Sequence, residues 1–209
     1  MTDLHESWHR MWFGVGASGN EAPTFAELVR RYCEPHRKYH TLQHLEECIS
    51  WFEAASHLAE RPVEVEAALW FHDAIYDLGQ ADNEEQSAKW ARAVLSSAGV
   101  SDDVAARVEK LVLATKHTSL PAAQDERLLV DIDLSILGAD EQRFAEYELQ
   151  ICDEYSFVAG PIFPQKRRAI LQSFLDRRFI YGTAHFRSAL EAKARFNVSN
   201  AIAKIAGPL

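Results

Sequence analysis

The chain has 209 residues, of which 47% are hydrophobic and 25% are charged, which fits one ordinary globular domain with ample chain to bury a core. Its formal net charge is −9 and it has no long run of Lys or Arg, so a nucleic-acid polymer is an unsuitable partner. It has neither an apolar run near the roughly 20 residues of a membrane span nor the apolar start of a secretory signal. We therefore expect a cytoplasmic protein with no membrane partner.

Apolar residues recur at helical spacing along almost the whole chain, and proline, glycine and capping residues punctuate them. Thr41 and Ser101 are predicted N-caps, and residues 83–86 have the form of a capping box. Gly79 and Gly99 are predicted to end helices. The predicted helices cover residues 24–34, 41–58, 63–77, 83–98, 101–117, 127–138, 144–157, 163–179 and 186–205.

The alternating pattern of β-strands is almost absent, and no internal repeat or long linker is visible. The sequence therefore predicts one all-α domain over residues 1–209. Its functional motifs lie at about 24–140, and the C-terminal helices, residues 141–206, are expected to pack on them. Three widely spaced cysteines without a CxxC pair, Cys33, Cys48 and Cys152, are expected to be reduced thiols.

Four ionisable residues form an ordered set that could bind one divalent cation: His44, the adjacent pair His72 and Asp73, and Asp133. Two imidazoles and two carboxylates suit a cation of borderline hardness. His72 and Asp73 stand in an otherwise apolar segment, where a bare charge would be costly and a bound metal would remove that cost. The candidates come from three predicted helices, which favours non-parallel helices around a central site.

The same residues fall in motifs that resemble those of the HD-domain superfamily of metal-dependent phosphohydrolases, whose signature is His, then His-Asp, then Asp on an all-α fold. More specifically, the chain resembles a largely uncharacterised bacterial branch of that superfamily, over about residues 24–200. The resemblance implies His44, His72, Asp73 and Asp133 as the metal ligands. The four motifs are RKYHTLQH at 37–44, FHDAIYD at 71–77, NEEQSA at 83–88 and DIDLSILG at 131–138.

Asp131 and Asp133 compete for the last ligand position. In the superfamily the ligand Asp usually stands just before an apolar or basic helical stretch, which favours Asp133 followed by Leu134. Asp131 would then orient a histidine or a metal-bound water from outside the ligand shell.

Two carboxylates are candidates for proton transfer. Asp77 lies four residues after Asp73, so on a continuing helix both would share one face. In related phosphohydrolases an acid at this offset is thought to handle the nucleophilic water. Glu84 competes for the role, although an acid in the first turn also stabilises its helix. Asn83 is expected to cap that helix, in a supporting position outside the ligand shell.

Positive groups should meet the substrate phosphate. Lys116 and His117 end the helix that begins at Ser101, and superfamily members often place a His or Lys there. Both also suit a helix C-terminus, so a structural role is an equal alternative. Arg37, which could bind phosphate in a bidentate manner, and His40 are the other candidates.

These features predict a hydrolase that acts on a small phosphorylated metabolite or nucleotide through metal-activated water. One divalent ion is expected, and Mn, Mg, Fe, Co, Ni and Zn all suit the mixed ligands. The alternative is a non-catalytic HD module that binds a nucleotide or metal and signals to a partner. The substrate, the native metal and the oligomeric state are left open.

Overall fold

A computed structural model describes residues 3–117, 119–158 and 160–206, without the side chain of residue 206. The described chain is all-helical and contains no strand, which confirms the predicted fold class. No helix in these ranges is long and apolar enough to cross a membrane. The helices are α1 (Leu4–Gly14), α2 (Ala22–Tyr32), α3 (Leu42–Ala55), α4 (Pro62–Phe71), α5 (Asn83–Ser97), α6 (Asp102–Ala114), α7 (Gln124–Asp133), α8 (Glu141–Glu154), α9 (Ile162–Leu175) and α10 (Ala184–Ala206), with short 3-10 turns at Ser56–Leu58 and Leu134–Gly138.

Helix starts were easier to predict than helix ends. Thr41 and Ser101 precede α3 and α6 as expected, and the Ser101 side chain accepts from the backbone N–H of Val104. The predicted helix 63–77 is wrong at its end, because α4 stops at Phe71. The predicted helix 127–138 is also two elements, since α7 gives way to a 3-10 turn after Asp133.

The chain divides into two compact units, one up to Asp133 and one from Leu134 onward. This boundary falls a few residues before the end of the predicted motif region, at about 140. The expectation of a single domain with residues 141–206 packed on the motifs stays a prediction.

Helix α4 is the centre of the first unit. It contacts α1, α3, α5, α6 and α7, and its residues from Glu64 to Phe71 are all buried. A helix surrounded in this way must be apolar on most of its faces, and α4 is. The indole ring of Trp8 on α1 packs edge-on against that of Trp70, with 5.2 Å between ring centroids. The Asp125 carboxylate accepts from the backbone N–H groups of Glu60 and Arg61, just before the first turn of α4.

The segment after α4 carries the His72–Asp73 pair and is fixed by side chains rather than by helical hydrogen bonds. The Arg37 guanidinium donates to the backbone carbonyls of Asp73 and Ala74 at 2.6 Å and 3.2 Å. A buried cation at the end of a helix satisfies carbonyls that have no helical partner. The Ser87 hydroxyl, on α5, accepts from the N–H of Ile75 and donates to its carbonyl. This fixation accounts for the helix end that the periodicity did not predict.

The second unit is built around α10, which contacts the 3-10 turn Leu134–Gly138 and helices α8 and α9. The Tyr181 hydroxyl donates to the carbonyl of Leu134, and the Asn197 amide donates to the carbonyl of Leu137. A Cβ at Gly138 would lie 2.6 Å from the Cβ of Leu190, so the close approach of α10 requires glycine there. The buried apolar side chains of α10 recur at helical spacing: Phe186, Leu190, Ala194, Val198 and Ala201.

Candidate metal centre

Three elements bring four predicted ligands together. His44 lies in the first turn of α3, His72 and Asp73 follow the last residue of α4, and Asp133 ends α7. The Nε2 atoms of His44 and His72 are 3.1 Å apart. The Asp73 Oδ2 atom is 3.1 Å from Nε2 of His72 and 3.6 Å from Nε2 of His44. The Asp133 Oδ1 atom is 3.3 Å from Nε2 of His44 and 3.7 Å from Nε2 of His72.

The spacing and burial of these atoms fit one divalent cation. Ligand atoms at about 2.0–2.2 Å from a common ion, in adjacent positions, are about 3 Å apart. The side chains of His44 and His72 are 2% and 1% exposed, whereas those of Asp73 and Asp133 are 17% and 14% exposed. The carboxylates therefore lie on the more solvent-accessible side, where a small molecule could approach the ion.

Hydrogen bonds outside the cluster orient both imidazoles. The Nδ1–H of His72 donates to the backbone carbonyl of Leu69 at 2.7 Å, because a carbonyl can only accept. Neutral His72 therefore directs the lone pair of Nε2 into the cluster, as a metal ligand must. Nδ1 of His44 lies 3.0 Å from the Tyr39 hydroxyl, which can accept its proton and leave Nε2 for the cation. This gives Tyr39, within the first motif, a supporting position that the sequence analysis did not assign.

The charges of the cluster depend on each other. Burial alone would lower the pKa of His72, but the charge and hydrogen bond of Asp73, with the charge of Asp133, raise it to about 9. Burial alone would raise the pKa of Asp73, yet the neighbouring His72, His40 and His44 hold it below its usual range. Hydrogen bonds from His117 and His44 likewise overcome burial and hold the pKa of Asp133 well below its usual range. Two carboxylates thus stay charged and share a proton with the imidazoles until a cation displaces it.

Of the two acids in the last motif, Asp133 is the one in the cluster. Its Oδ1 faces the two imidazoles, and its Oδ2 is 3.0 Å from Nε2 of His117. Asp131 is fully buried two positions earlier on α7. His117 therefore contacts a candidate ligand directly, and its backbone has a φ of 55°, in the left-handed region that few side chains adopt.

Cys48 also belongs to the buried cluster, although its sequence context predicted only a reduced thiol. His44, Cys48, His72 and Asp133 each offer one ligand atom, and these atoms all lie within 4.8 Å of one another, so the group could hold a metal ion. The thiol is buried, and burial together with the charges of Asp133 and Asp73 raises its pKa well above its usual value. The spacing of four residues from His44 on α3 was the available signal, but Cys48 also fits the apolar stripe of that helix.

Arg37 does not have the geometry expected of a phosphate ligand. Its side chain is buried, and its donors are directed at protein acceptors. Besides the carbonyls of Asp73 and Ala74, they reach the carbonyl of His40 and the carboxylate of Glu34. A bidentate contact with substrate would break several of these hydrogen bonds. The phosphate-binding role of Arg37 stays a prediction, and what these hydrogen bonds show is that Arg37 supports the backbone of Asp73 and Ala74.

Asp77 does not share a helical face with Asp73, because α4 ends before both. Its side chain is exposed and accepts from the N–H of Gly79 at 2.8 Å. The capping-box prediction is wrong as well, since the N-cap of α5 is Asp82. The Asn83 amide instead accepts from the N–H of Asp77 and donates to its carbonyl. Asn83 thus fixes the loop that carries the His-Asp pair.

Glu84 is better placed than Asp77 for proton transfer. It is half-buried, and burial together with the negative charge of Asp73 raises the pKa of its carboxyl above the usual value. Lys116, which lowers that pKa, forms an ion pair with Glu85.

His40 lies beside the cluster. Its ring centroid is 6.1 Å from that of His44 and 4.2 Å from that of Tyr76. Its charge is one of the influences that lower the pKa of Asp73. Of the other candidates for phosphate contact, His117 contacts Asp133 and Lys116 pairs with Glu85. Arg37, by contrast, donates to backbone carbonyls.

Comparison of the chain with family models, with curated proteins and with solved structures finds no match.

Proposed function

We propose that this protein is a metal-dependent phosphohydrolase of the HD-domain type, acting on a small phosphorylated metabolite or nucleotide. The observation that supports the proposal best is the convergence of His44, His72, Asp73 and Asp133 from three separate elements. The two Nε2 atoms lie 3.1 Å from each other and 3.1–3.7 Å from a carboxylate oxygen of Asp73 and of Asp133, in a cluster whose histidines are buried and whose carboxylates are partly exposed. Four ionisable groups gathered for packing alone would be a costly arrangement without a cation.

A divalent cation bound there would polarise a phosphate oxygen and lower the pKa of a bound water. The protein residues supply the remaining requirements. Four protein ligands leave about two positions of a six-coordinate ion for water and substrate. His72 and His44 keep their Nε2 atoms directed at the ion through the Leu69 carbonyl and the Tyr39 hydroxyl.

Glu84 is the proposed acid-base residue. The pKa of its carboxyl group is raised toward neutral pH, and a carboxyl group whose pKa lies nearer the working pH accepts and returns protons more efficiently. Its electrostatic interaction with Asp73 indicates that it lies near the ligands. Asp77 stays a weaker candidate, because its exposed carboxylate is used by Gly79.

Lys116, His117 and His40 are the proposed contacts for the phosphate charge. Lys116 would exchange its ion pair with Glu85 for a contact with substrate. His117 carries an imidazole that already reaches Asp133, so a phosphate bound to the ion would lie within its range. Groups that can donate to phosphate are needed because the net charge of −9 would otherwise repel an anionic substrate.

Metal content measured by elemental analysis, paired with hydrolysis of a panel of phosphoesters and nucleotides, tests the proposal. Asp73→Asn removes a ligand charge at nearly constant volume, and Asp176→Asn, an exposed acid on the end of α9, is the matched control. We expect stoichiometric metal and turnover in the wild type and in Asp176→Asn, and the loss of both in Asp73→Asn.

Two other results would contradict the proposal in different ways. Metal binding without turnover of any panel member would favour the non-catalytic HD module that binds a nucleotide or metal. A folded wild-type protein that binds no divalent metal would exclude the metal centre itself.

A further inference from the structure

We propose that Cys48 is an additional, thiolate ligand of the same cation, and that it makes the centre prefer thiophilic ions such as Zn²⁺, Co²⁺ or Fe²⁺ over Mg²⁺. This inference rests on the metal centre of the proposed function. It adds a donor that changes which metal the protein selects.

Helix geometry places the thiol next to a histidine ligand. His44 and Cys48 are four residues apart on α3, so their side chains lie on one face, a single turn apart. The Sγ atom is 3.7 Å from Nδ1 and 3.7 Å from Nε2 of His44. It also lies within 4.8 Å of the ligand atoms of His72 and Asp133. The sulfur is therefore close to three of the candidate ligands, on the side of α3.

These separations match those of ligands around one ion. With metal–sulfur and metal–nitrogen bonds of about 2.3 Å and 2.0–2.1 Å, neighbouring ligands are about 3–4 Å apart and opposite ligands about 4.4 Å apart. The distance from Sγ to Nε2 of His44 falls in the first range. The limit of 4.8 Å for the whole group exceeds the second by only a few tenths of an ångström. A small adjustment of side-chain torsions therefore suffices.

A packing role alone explains the position of Cys48 less well. A buried cysteine often behaves as a small hydrophobic side chain. Here, however, its sulfur lies 3.7 Å from the imidazole of His44 and within 4.8 Å of a carboxylate oxygen of Asp133. Alanine would occupy a similar place on the apolar stripe of α3 without placing a polarizable sulfur beside the ionisable side chains of the cluster.

Binding of the thiol exchanges a proton for the metal. The S–H bond breaks, the sulfur keeps the electron pair and donates it to the cation, and the proton leaves to solvent. Within the group that contains Cys48, the thiolate and Asp133 then supply two negative charges to the ion. Soft sulfur favours Zn²⁺, Co²⁺ and Fe²⁺, whereas Mg²⁺ prefers oxygen.

Absorption spectroscopy of the Co²⁺-loaded protein tests the assignment without relying on activity. A thiolate ligand gives an intense near-ultraviolet sulfur-to-cobalt band in addition to the weak visible bands of any Co²⁺ site. We expect this band in the wild type and in the double variant Cys33→Ser/Cys152→Ser, whose substituted thiols are both exposed. We expect Cys48→Ser to keep the visible bands and lose the near-ultraviolet band. Its affinity for Zn²⁺ should fall by about tenfold or more, and that for Mn²⁺ by less than about twofold.

The possible failures are distinguishable. Visible Co²⁺ bands without a near-ultraviolet band in the wild type would overturn the Cys48 assignment and leave the four-ligand centre intact. Absence of any Co²⁺ spectrum in the folded protein would overturn both the assignment and the metal centre. Because the double variant retains Cys48 as its single thiol, its spectrum decides the question even if Cys48→Ser does not fold.

Discussion

The guanidinium of Arg37 donates to the backbone carbonyl of Asp73 at 2.6 Å, and so connects the first motif of the chain to the second. Arg37 stands seven residues before His44, and Asp73 directly follows His72. Arg37, in the loop that leads to His44, thus fixes the backbone of Asp73. An arginine used in this way is unavailable for substrate, although its position in the sequence suggested a phosphate contact.

Substitution of Arg37 should weaken metal binding without removing a ligand. In Arg37→Met three backbone carbonyls lose their donor, and each unsatisfied buried acceptor costs about 1–3 kcal/mol. We expect a lower unfolding temperature and a metal affinity reduced by about 10–100-fold. The control is Arg30→Met, because Arg30 is exposed and pairs with Glu27 on the same helix. An unchanged affinity in folded Arg37→Met would show that the Asp73 backbone needs no such support.

The choice between the two acids of the last motif can be tested directly. Asp133→Asn should lose stoichiometric metal, because Oδ1 of Asp133 faces both imidazoles. Asp131→Asn should retain it, because Asp133 already supplies the carboxylate of this motif that faces the two imidazoles. Elemental analysis of both purified variants measures the difference, and circular dichroism checks that both are folded. Retention of metal by Asp133→Asn alone would reverse the assignment.

The stability of the metal-free protein should fall as the pH rises. The pKa of His72 in the folded protein is about 9, above its ordinary value of 6.5, so the folded state binds this proton more tightly than the unfolded state. The resulting stabilisation is complete below about pH 6.5 and is lost as the pH rises through about 9. We expect the free energy of unfolding, measured by denaturant titration with a chelator present, to decrease over this range.

Saturating metal should abolish that dependence, because the metal-bound folded state holds no proton on this nitrogen and the unfolded state loses its proton above about pH 6.5. Metal affinity should therefore increase with pH up to about 9, with release of a proton on binding. His57→Gln, which changes an exposed histidine, should leave both profiles unchanged. A metal-free protein whose stability is flat between pH 6.5 and 9 would contradict the proton shared within the cluster.

The proposed acid-base residue is distinguished from its rival by a pair of variants. Glu84→Gln should lower kcat by about 10²–10⁴-fold, the usual contribution of general acid-base catalysis. Asp77→Asn should change kcat by much less, because the carboxylate of Asp77 is exposed and directed at Gly79. Both variants should keep their metal, since neither residue is among the ligand candidates.

The pH profile provides an independent check of the same residue. Because the pKa of Glu84 is raised, the rate of the wild type should rise with pH through a value above 4.5 if Glu84 acts as a base. That step should disappear in Glu84→Gln and persist in Asp77→Asn. The opposite pattern would assign the role to Asp77.

The sequence by itself was sufficient for the helical fold and for the residue types of the buried cluster. Helical spacing of apolar residues and caps such as Ser101 are local properties, and they were recovered with errors mainly at helix ends. The imidazoles and carboxylates of His44, His72 and Asp73 stood out because charged groups in apolar segments require compensation. In the structure these three side chains lie together, as the residue types and their apolar surroundings suggested.

The tertiary structure decided what depends on contacts between distant segments. Helix α4 ends at Phe71 because Arg37 and Ser87, from other elements, satisfy the backbone beyond it, and this separates Asp77 from the face of Asp73. The burial of Arg37 and the orientation of Asp133 toward the imidazoles follow from packing that no local pattern encodes. The same is true of Cys48, whose sulfur reaches the cluster only when α3, α4 and α7 converge.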